Sequence, residues 1–175
     1  MTTSPTDAGP TVAAAEFRAL MAGFPSGVSV VAARTADGQP RGMTCSAVCS
    51  VTLEPPTLLA SLRTDTRTLA AVLESGRFTV NLLHERARAT AELFGSGAAD
   101  RFSRVRWTYA PDGAGPHLVD DAHAMADCRV SAAHRVGSHT VVYGEVLRIL
   151  QQPDPEPLLY GLRGYAAWPV AARRG

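Results

Sequence analysis

The chain has 175 residues, the size of one domain, and its charge is nearly balanced, with 17 basic against 16 acidic residues. Every basic residue is an arginine, so enzymes that depend on a lysine, such as P-loop ATPases and Schiff-base enzymes, are excluded. No basic block and no apolar run long enough for a membrane helix occurs, so neither a nucleic acid nor a membrane is predicted as a partner.

The cysteines and the two ends of the chain predict its setting. Three cysteines without a signal-peptide pattern favour a reducing cytoplasm and no disulfide framework. Residues 1–11 are polar and contain Pro and Gly, which predicts a flexible N-terminal tail. We expect residues 12–170 to form one domain and residues 171–175 a short C-terminal tail.

The first half of the chain predicts a strand hairpin between helices. Apolar residues at helical spacing predict a helix over residues 12–23. Residues 27–34 and 41–53 predict two paired strands, and Pro55 and Pro56 end the second one. The following elements are predicted as strand 57–62, helix 66–76, strand 77–83 and helix 85–94.

The second half of the chain is again β-rich. Residues 127–136 and 139–150 flank a Gly137-Ser138 turn and predict a hairpin, and a last stretch covers residues 158–170. The total is six or seven strands and three helices without regular β-α-β alternation. This pattern predicts a mainly β protein, an antiparallel barrel with helices on its outside.

Several common chemistries are absent. The glycines at 95 and 97 lack the third glycine of a dinucleotide fingerprint and follow a predicted helix. On one extended strand, Cys45 and Cys49 would lie about 13 Å apart, too far to ligate one zinc ion. We therefore predict no metal site and interpret these cysteines as small residues that line an apolar surface.

Small hydroxyl residues are concentrated in two segments, 44–52 and 61–68. Small side chains let a flat ligand approach the backbone, and a Ser/Thr/Arg cluster that opens a helix suits a phosphate. From the residues alone, an ordinary half-buried strand explains the first segment better, and simple N-capping by Thr66 explains the second better.

Short motifs in a characteristic order identify a family. They are Phe24-Pro25-Ser26-Gly27-Val28, Gly42-Met43-Thr44, Ser50-Val51, Pro55-Pro56, residues 78–83, Arg101-Phe102 with Trp107, Gly137-Ser138-His139, Gly144-Glu145-Val146, Leu159-Tyr160 and Gly164-Tyr165. From about residue 17 to residue 168 the chain resembles the flavin reductase family with the FMN-binding split-barrel fold, the reductase components of two-component monooxygenases.

The resemblance implies a split antiparallel β-barrel with a few peripheral helices, and a homodimer with the flavin near the subunit interface. It also implies hydride transfer from NADH or NADPH to FAD or FMN, and a partner monooxygenase that receives the reduced flavin. FAD is favoured slightly, and NADH is favoured because no arginine cluster for a 2′-phosphate is visible. A flavin carrier or redox sensor of the same fold, without turnover, is the alternative.

The resemblance also implies site residues. Residues 44–50 would hold the flavin ring, residues 61–68 the phosphate region and residues 25–28 a wall of the pocket, while His139 would be the catalytic residue beside the nicotinamide. The implied cofactor-binding residues are Pro25, Ser26, Gly27, Val28, Thr44, Cys45, Ser46, Ala47, Val48, Cys49, Ser50, Ser61, Leu62, Arg63, Thr66, Thr68, Phe102, His139 and Tyr165. The turn before this histidine is Gly137-Ser138 here, whereas relatives often carry Gly-Asp.

Overall fold

A computed structural model describes residues 11–111, 113–153 and 156–168. Residues 1–10 of the predicted N-terminal tail 1–11, and the whole predicted tail 171–175, lie outside the described residues. The α-helices are α1 (Ala14–Ala22), α2 (Arg67–Ser75) and α3 (Arg88–Ser96), with 3₁₀ turns at Glu85–Ala87 and Arg101–Ser103. Within the described ranges, no helix is long and apolar enough to cross a membrane.

The strands form three sheets. They are β1 (Ser26–Gly27), β2 (Ser29–Arg34), β3 (Pro40–Cys45), β4 (Val48–Leu53), β5 (Pro56–Arg63), β6 (Arg77–Leu83), β7 (Trp107–Tyr109), β8 (Pro116–Leu118), β9 (Ala122–Val136), β10 (His139–Gln151), β11 (Leu158–Gly161) and β12 (Gly164–Ala167). Seven of them pair antiparallel in the order β3-β2-β6-β9-β10-β5-β4. A three-stranded sheet, β1-β11-β12, and the pair β7-β8 complete the fold.

The large sheet curls into a barrel that is open along one seam. Its two edge strands, β3 and β4, are consecutive in the chain and are linked only by Ser46 and Ala47. The chain from Cys45 to Val48 spans at most about 11 Å, so the two edges of the sheet must come close together there. The Ser61 N–H donates to the Ala47 carbonyl at 2.9 Å, which extends the β4-β5 pairing into the link. Across the seam, the Cys45 thiol at the end of β3 donates to the Ser61 carbonyl of β5 at 3.5 Å. The fold is therefore a split barrel.

Strand β2 is apolar on both faces because both faces are buried in the core. Its residues 30–33 are all fully buried, and they alternate between two hydrophobic clusters. Val31 and Ala33 belong to the cluster that includes Leu69 and Val72 of α2, whereas Val30 and Ala32 belong to the cluster that includes Phe94 of α3. Helices therefore cover this part of the barrel from two sides.

Helix α2 has well-formed ends. The Thr66 side chain caps its start by accepting from the Leu69 N–H at 3.2 Å, as predicted from the sequence. Gly76 ends it with φ +65°, a left-handed conformation that glycine adopts without a steric penalty. This cap leads directly into β6, so the predicted strand 77–83 is confirmed with its bounds.

Other predicted elements were partly wrong. The predicted strand 41–53 is two strands, because the chain leaves one edge of the sheet at Cys45 and joins the other at Val48. The predicted helix 85–94 starts as a 3₁₀ turn and continues to Ser96. The sequence analysis missed the short strands β1, β7 and β8, whereas the hairpin with its Gly137-Ser138 turn is confirmed.

Candidate functional site

An apolar cavity of about 760 Å³ lies at the seam of the barrel. The link residues Ser46 and Ala47 line it together with Val48 and Cys49 of β4. The other lining residues come from α1 and the segment after it, and from β5 and the β11-β12 hairpin: Phe17, Arg18, Met21, Ala22, Phe24, Ser26, Leu59, Tyr160, Gly161 and Arg163. Its volume is within the range of small-molecule sites.

A second cavity, of about 640 Å³, is rich in arginine, and we call it the cationic cavity. It is lined by the first residues of β3, the start of α2 and the segment that ends α3: Pro40, Arg41, Gly42, Met43, Arg63, Asp65, Thr66, Arg67, Thr68, Phe94, Gly95, Ser96, Gly97, Ala99, Arg101 and Phe102. The two cavities share the segment 40–49, since Met43 lines one and Ser46 the other. Met43 and Ser46 are three residues apart, which is about 10 Å along an extended chain.

Aromatic rings form one wall of the cationic cavity. The Phe102 ring meets the Phe94 ring edge-on at 5.0 Å and the Trp107 ring at 5.6 Å. The Trp107 indole also donates to the Phe102 carbonyl at 2.9 Å. A Cβ at Gly42 would lie 3.0 Å from the Phe102 ring and 3.1 Å from the Phe94 ring, so the two rings pack closely over this glycine. Phe102 is thus held firmly at the surface of the cavity.

The structure divides the predicted cofactor-binding residues between the two cavities. Ser26, Ser46, Ala47, Val48 and Cys49 line the apolar cavity. Arg63, Thr66, Thr68 and Phe102 line the cationic cavity. The remaining predicted residues line neither: Pro25, Gly27, Val28, Thr44, Cys45, Ser50, Ser61, Leu62, His139 and Tyr165.

Several of these remaining side chains have structural contacts of their own. The side chains of Val28 and Leu62 are buried in the core. The Thr44 hydroxyl donates to the Ala91 carbonyl of α3 at 2.6 Å, and the Tyr165 ring packs on Tyr160 at 5.2 Å. Through Tyr160, Tyr165 supports the wall of the apolar cavity from behind.

The expected arrangement of Cys45 and Cys49 was wrong. They lie on different strands, so Cys45 is buried while Cys49 is exposed in the apolar cavity. The Cys45 thiol donates to the Ser61 carbonyl at 3.5 Å, and burial raises the pKa of this thiol. In the part of the chain that the structure describes, no three His, Cys, Asp or Glu side chains are grouped as a metal ion would need.

His139 begins β10 at the end of the barrel where α2 starts. Its Cα pairs with that of Arg63, and its Nδ1 lies 3.1 Å from the Ser138 hydroxyl. The preceding turn is tied to the same loop, because the Thr64 N–H donates to the Ser138 carbonyl at 2.9 Å. The pKa of the nearby Asp65 carboxyl is lowered, mainly by the hydrogen bond from Arg63 and least by His139.

The sequence analysis missed the residues that give each cavity its character. Arg41, Arg67 and Arg101 line the cationic cavity, and Phe17, Met21 and Tyr160 line the apolar one. The arginines are scattered over 60 positions, so no local pattern reveals their proximity. The one local pattern that falls in the cationic cavity is Gly95-Ser96-Gly97. The sequence analysis rejected it as a dinucleotide fingerprint.

Comparison with known proteins identifies the family. Residues 21–169 match the model of the flavin reductase like domain. The chain is 49% identical over 157 residues to the flavin reductase (NADPH) of Lentzea aerocolonigenes, covering 90% of this chain and 91% of that protein. The chain belongs to the flavin reductase-like family.

Solved structures agree. The NADH:FAD oxidoreductase of Streptomyces globisporus C-1027, in complex with NAD and FAD fragments, superposes with a TM-score of 0.84 at 26% identity, covering 90% of this chain and 94% of that one. The styrene monooxygenase flavin reductase of Pseudomonas putida S12 has a TM-score of 0.79 at 31% identity, covering 89% and 98%. The similarity covers nearly the whole fold.

Proposed function

We propose that this chain, an NAD(P)H-dependent flavin reductase, binds its flavin across the two cavities, with the ring in the apolar cavity and the phosphate end in the cationic one. The observation that carries this proposal is the opposite character of two cavities that share the segment 40–49. A flavin nucleotide has the same division, since a flat and largely apolar ring is joined to a charged phosphate. Small residues at Ser46, Ala47 and Cys49 leave room for a flat ring beside the backbone.

When bound, the flavin accepts a hydride from NADH or NADPH, and the chemistry is the cofactors' own. The residues of the chain bind and orient the two rings. Phe17, Phe24 and Tyr160 give the apolar cavity aromatic walls. The start of α2 offers the N–H groups of Arg67 and Thr68 and the positive end of the helix dipole to a phosphate.

A homodimer is part of this proposal. Helix α1 has no buried residue, and Phe17, Leu20, Met21 and Phe24 around the apolar cavity are 45% to 71% exposed. So much apolar surface at one place is typical of an interface between proteins. A second copy of the chain at this surface would complete the wall of the ring site and place the flavin near the subunit interface.

The reduced flavin would pass to a partner monooxygenase. Easy release is supported by the position of the apolar cavity, which lies at the surface with an exposed Cys49. The relative from Pseudomonas putida is named as the reductase of a styrene monooxygenase.

FAD is our proposed flavin. NADH remains our proposed hydride donor, because the arginines that the fold brings together in the cationic cavity are assigned in this proposal to the phosphate end of the flavin.

The direct test of the function is NADH or NADPH oxidation, followed by absorbance, with FAD, FMN or riboflavin added in turn. We expect rapid oxidation that requires both the flavin and the protein. A protein that binds flavin tightly and shows no turnover would contradict the reductase and favour a flavin carrier.

His139 is proposed to position the nicotinamide, so its loss should weaken nicotinamide binding. We expect His139→Ala to raise the KM for NADH or NADPH about tenfold, the worth of one hydrogen bond, with the flavin Kd nearly unchanged. His134→Ala is the matched control, because His134 is an exposed histidine on the same hairpin whose ring packs on Tyr143. Equal nicotinamide KM values for the two variants would mean that His139 has only a local structural role.

A further inference from the structure

The cationic cavity carries more positive charge than its own carboxylate can neutralise. Four arginines line it, at positions 41, 63, 67 and 101, and Asp65 is the only acidic residue among the lining residues. Asp65 is already occupied, since its carboxylate accepts from Arg63 Nη2 at 2.8 Å and Nε at 3.2 Å. Among the described residues, the other three arginines form no ion pair with a carboxylate.

Arg101 is held in place by the backbone. Its Nε donates to the Ala98 carbonyl and its Nη1 to the Gly42 carbonyl, both at 2.7 Å. These two bonds use two of the five N–H groups of the guanidinium and leave three for a ligand. The side chain is therefore fixed before any ligand binds, so little conformational entropy is lost on binding.

The charges of this cavity favour the binding of an anion. Burial lowers the pKa of the Arg101 guanidinium, and the nearby charge of Arg41 lowers it further. The fold thus keeps a partly desolvated cation close to a second cation, an arrangement that costs free energy in the absence of a counter-charge. The planar guanidinium group of arginine can donate two parallel hydrogen bonds to a phosphate, and it binds phosphate strongly where water is partly excluded.

A flat apolar surface adjoins these charges. The half-buried Phe102 ring lines the same cavity, and Phe94 and Trp107 hold it edge-on. Aromatic rings of this kind pack against other flat rings. The combination of three unpaired guanidinium groups and an aromatic wall is suited to a ligand with phosphates joined to a planar base.

We propose that the cationic cavity binds the phosphates of an adenosine nucleotide through Arg41, Arg67 and Arg101, with the base against Phe102. This inference rests on the proposed function, because FAD and the nicotinamide dinucleotide each contain an adenosine with phosphates. Arg41, Arg67 and Arg101 would then discriminate a dinucleotide from FMN, whose single phosphate needs only Arg63 and the start of α2. The two dinucleotides share this chemistry and are separated by the experiment.

The test is calorimetric titration with ADP at low ionic strength. We expect Arg41→Gln and Arg67→Gln each to weaken ADP binding at least fivefold. Arg106→Gln is the matched control, since Arg106 is an exposed arginine paired with Asp120 outside the cavity, and it should leave the ADP Kd unchanged. Arg101→Lys, which keeps the charge but loses the fork, should also weaken binding, and its melting temperature reports whether the carbonyl contacts are lost.

Two further measurements distinguish the sources of the adenosine. If the cavity binds FAD, Arg41→Gln weakens FAD binding and leaves FMN binding unchanged. If it binds the nicotinamide dinucleotide, the same variant raises the KM for NADH or NADPH and leaves both flavin affinities unchanged. Unchanged ADP affinity in both Arg41→Gln and Arg67→Gln would overturn the proposal, as would an equal loss for FAD and FMN. Since ADP binding needs no turnover, this result is independent of the reductase assay.

Discussion

Replacing Ala47 with phenylalanine is expected to lower kcat/KM for flavin reduction by about a hundredfold, the scale of effect that follows from misplacing a reacting ring by an ångström. Ala47 is exposed, lies in the two-residue link at the seam and lines the apolar cavity. A phenyl ring there would occupy the space proposed for the flavin ring. The backbone bond from the Ser61 N–H to the Ala47 carbonyl does not involve the Ala47 side chain, so the pairing of the link with β5 should be preserved.

A matched variant controls for the added aromatic surface. Ala133 is also exposed, on β9 and outside both cavities, so Ala133→Phe should retain wild-type kcat/KM. Melting temperatures of both variants would show that the fold is preserved. Full activity of Ala47→Phe with wild-type flavin affinity would mean that the flavin ring binds elsewhere.

Gly144→Ala is expected to cause the largest loss of stability, about 3 kcal/mol, at the upper end of the cost of overpacking a core. A Cβ at this position of β10 would lie 2.3 Å from Cζ and 2.7 Å from Cε1 of Phe78. The Phe78 ring is fully buried in a core cluster, so a shift of this ring would disturb its core neighbours. The melting temperature should fall by roughly 6–12 °C for a chain of this size.

Gly23→Ala provides the comparison for this effect. Gly23 is exposed after α1, has φ −79°, and its nearest neighbour for a Cβ is the Leu20 carbonyl oxygen at 3.5 Å. The free energy of unfolding of Gly23→Ala should stay within about 0.5 kcal/mol of the wild-type value. Adding Phe78→Leu to Gly144→Ala should recover part of the loss, because the two sites compete for one volume. A Gly144→Ala protein as stable as Gly23→Ala would contradict this packing.

The sequence predicted those features that depend on local patterns. One such feature is the hairpin turn at Gly137-Ser138. Another is strand 77–83, which follows the glycine cap of α2 and precedes a 3₁₀ turn. Both depend on residues that are close together in the chain. The family resemblance also predicted the split barrel. It assigned residues 44–50 to the ring site, and of these the structure places residues 46–49 in the apolar cavity. These segments are continuous, and their order along the chain was sufficient evidence.

The other features depend on contacts between distant segments. The break at Ser46 and Ala47 is invisible in the sequence, because the β-rich pattern continues through it. It arises from closure of the sheet, which requires β3 and β4 to be opposite edges. In the same way, Arg41 and Arg101 become neighbours only when β3 packs beside the segment that follows α3. Gly144 shows no signal of its role, since the Phe78 ring that excludes a side chain there lies on another strand.

The central claim, that the flavin ring lies in the apolar cavity, is tested most directly by alkylation of the three free cysteines with and without flavin, followed by mass spectrometry. Cys49 is exposed in that cavity, whereas Cys45 and Cys128 are buried, and burial raises the pKa of Cys128 to about 12. Cys49 should therefore react alone, and saturating FAD should slow its reaction at least tenfold. A Cys49 rate unchanged by saturating flavin would contradict the account.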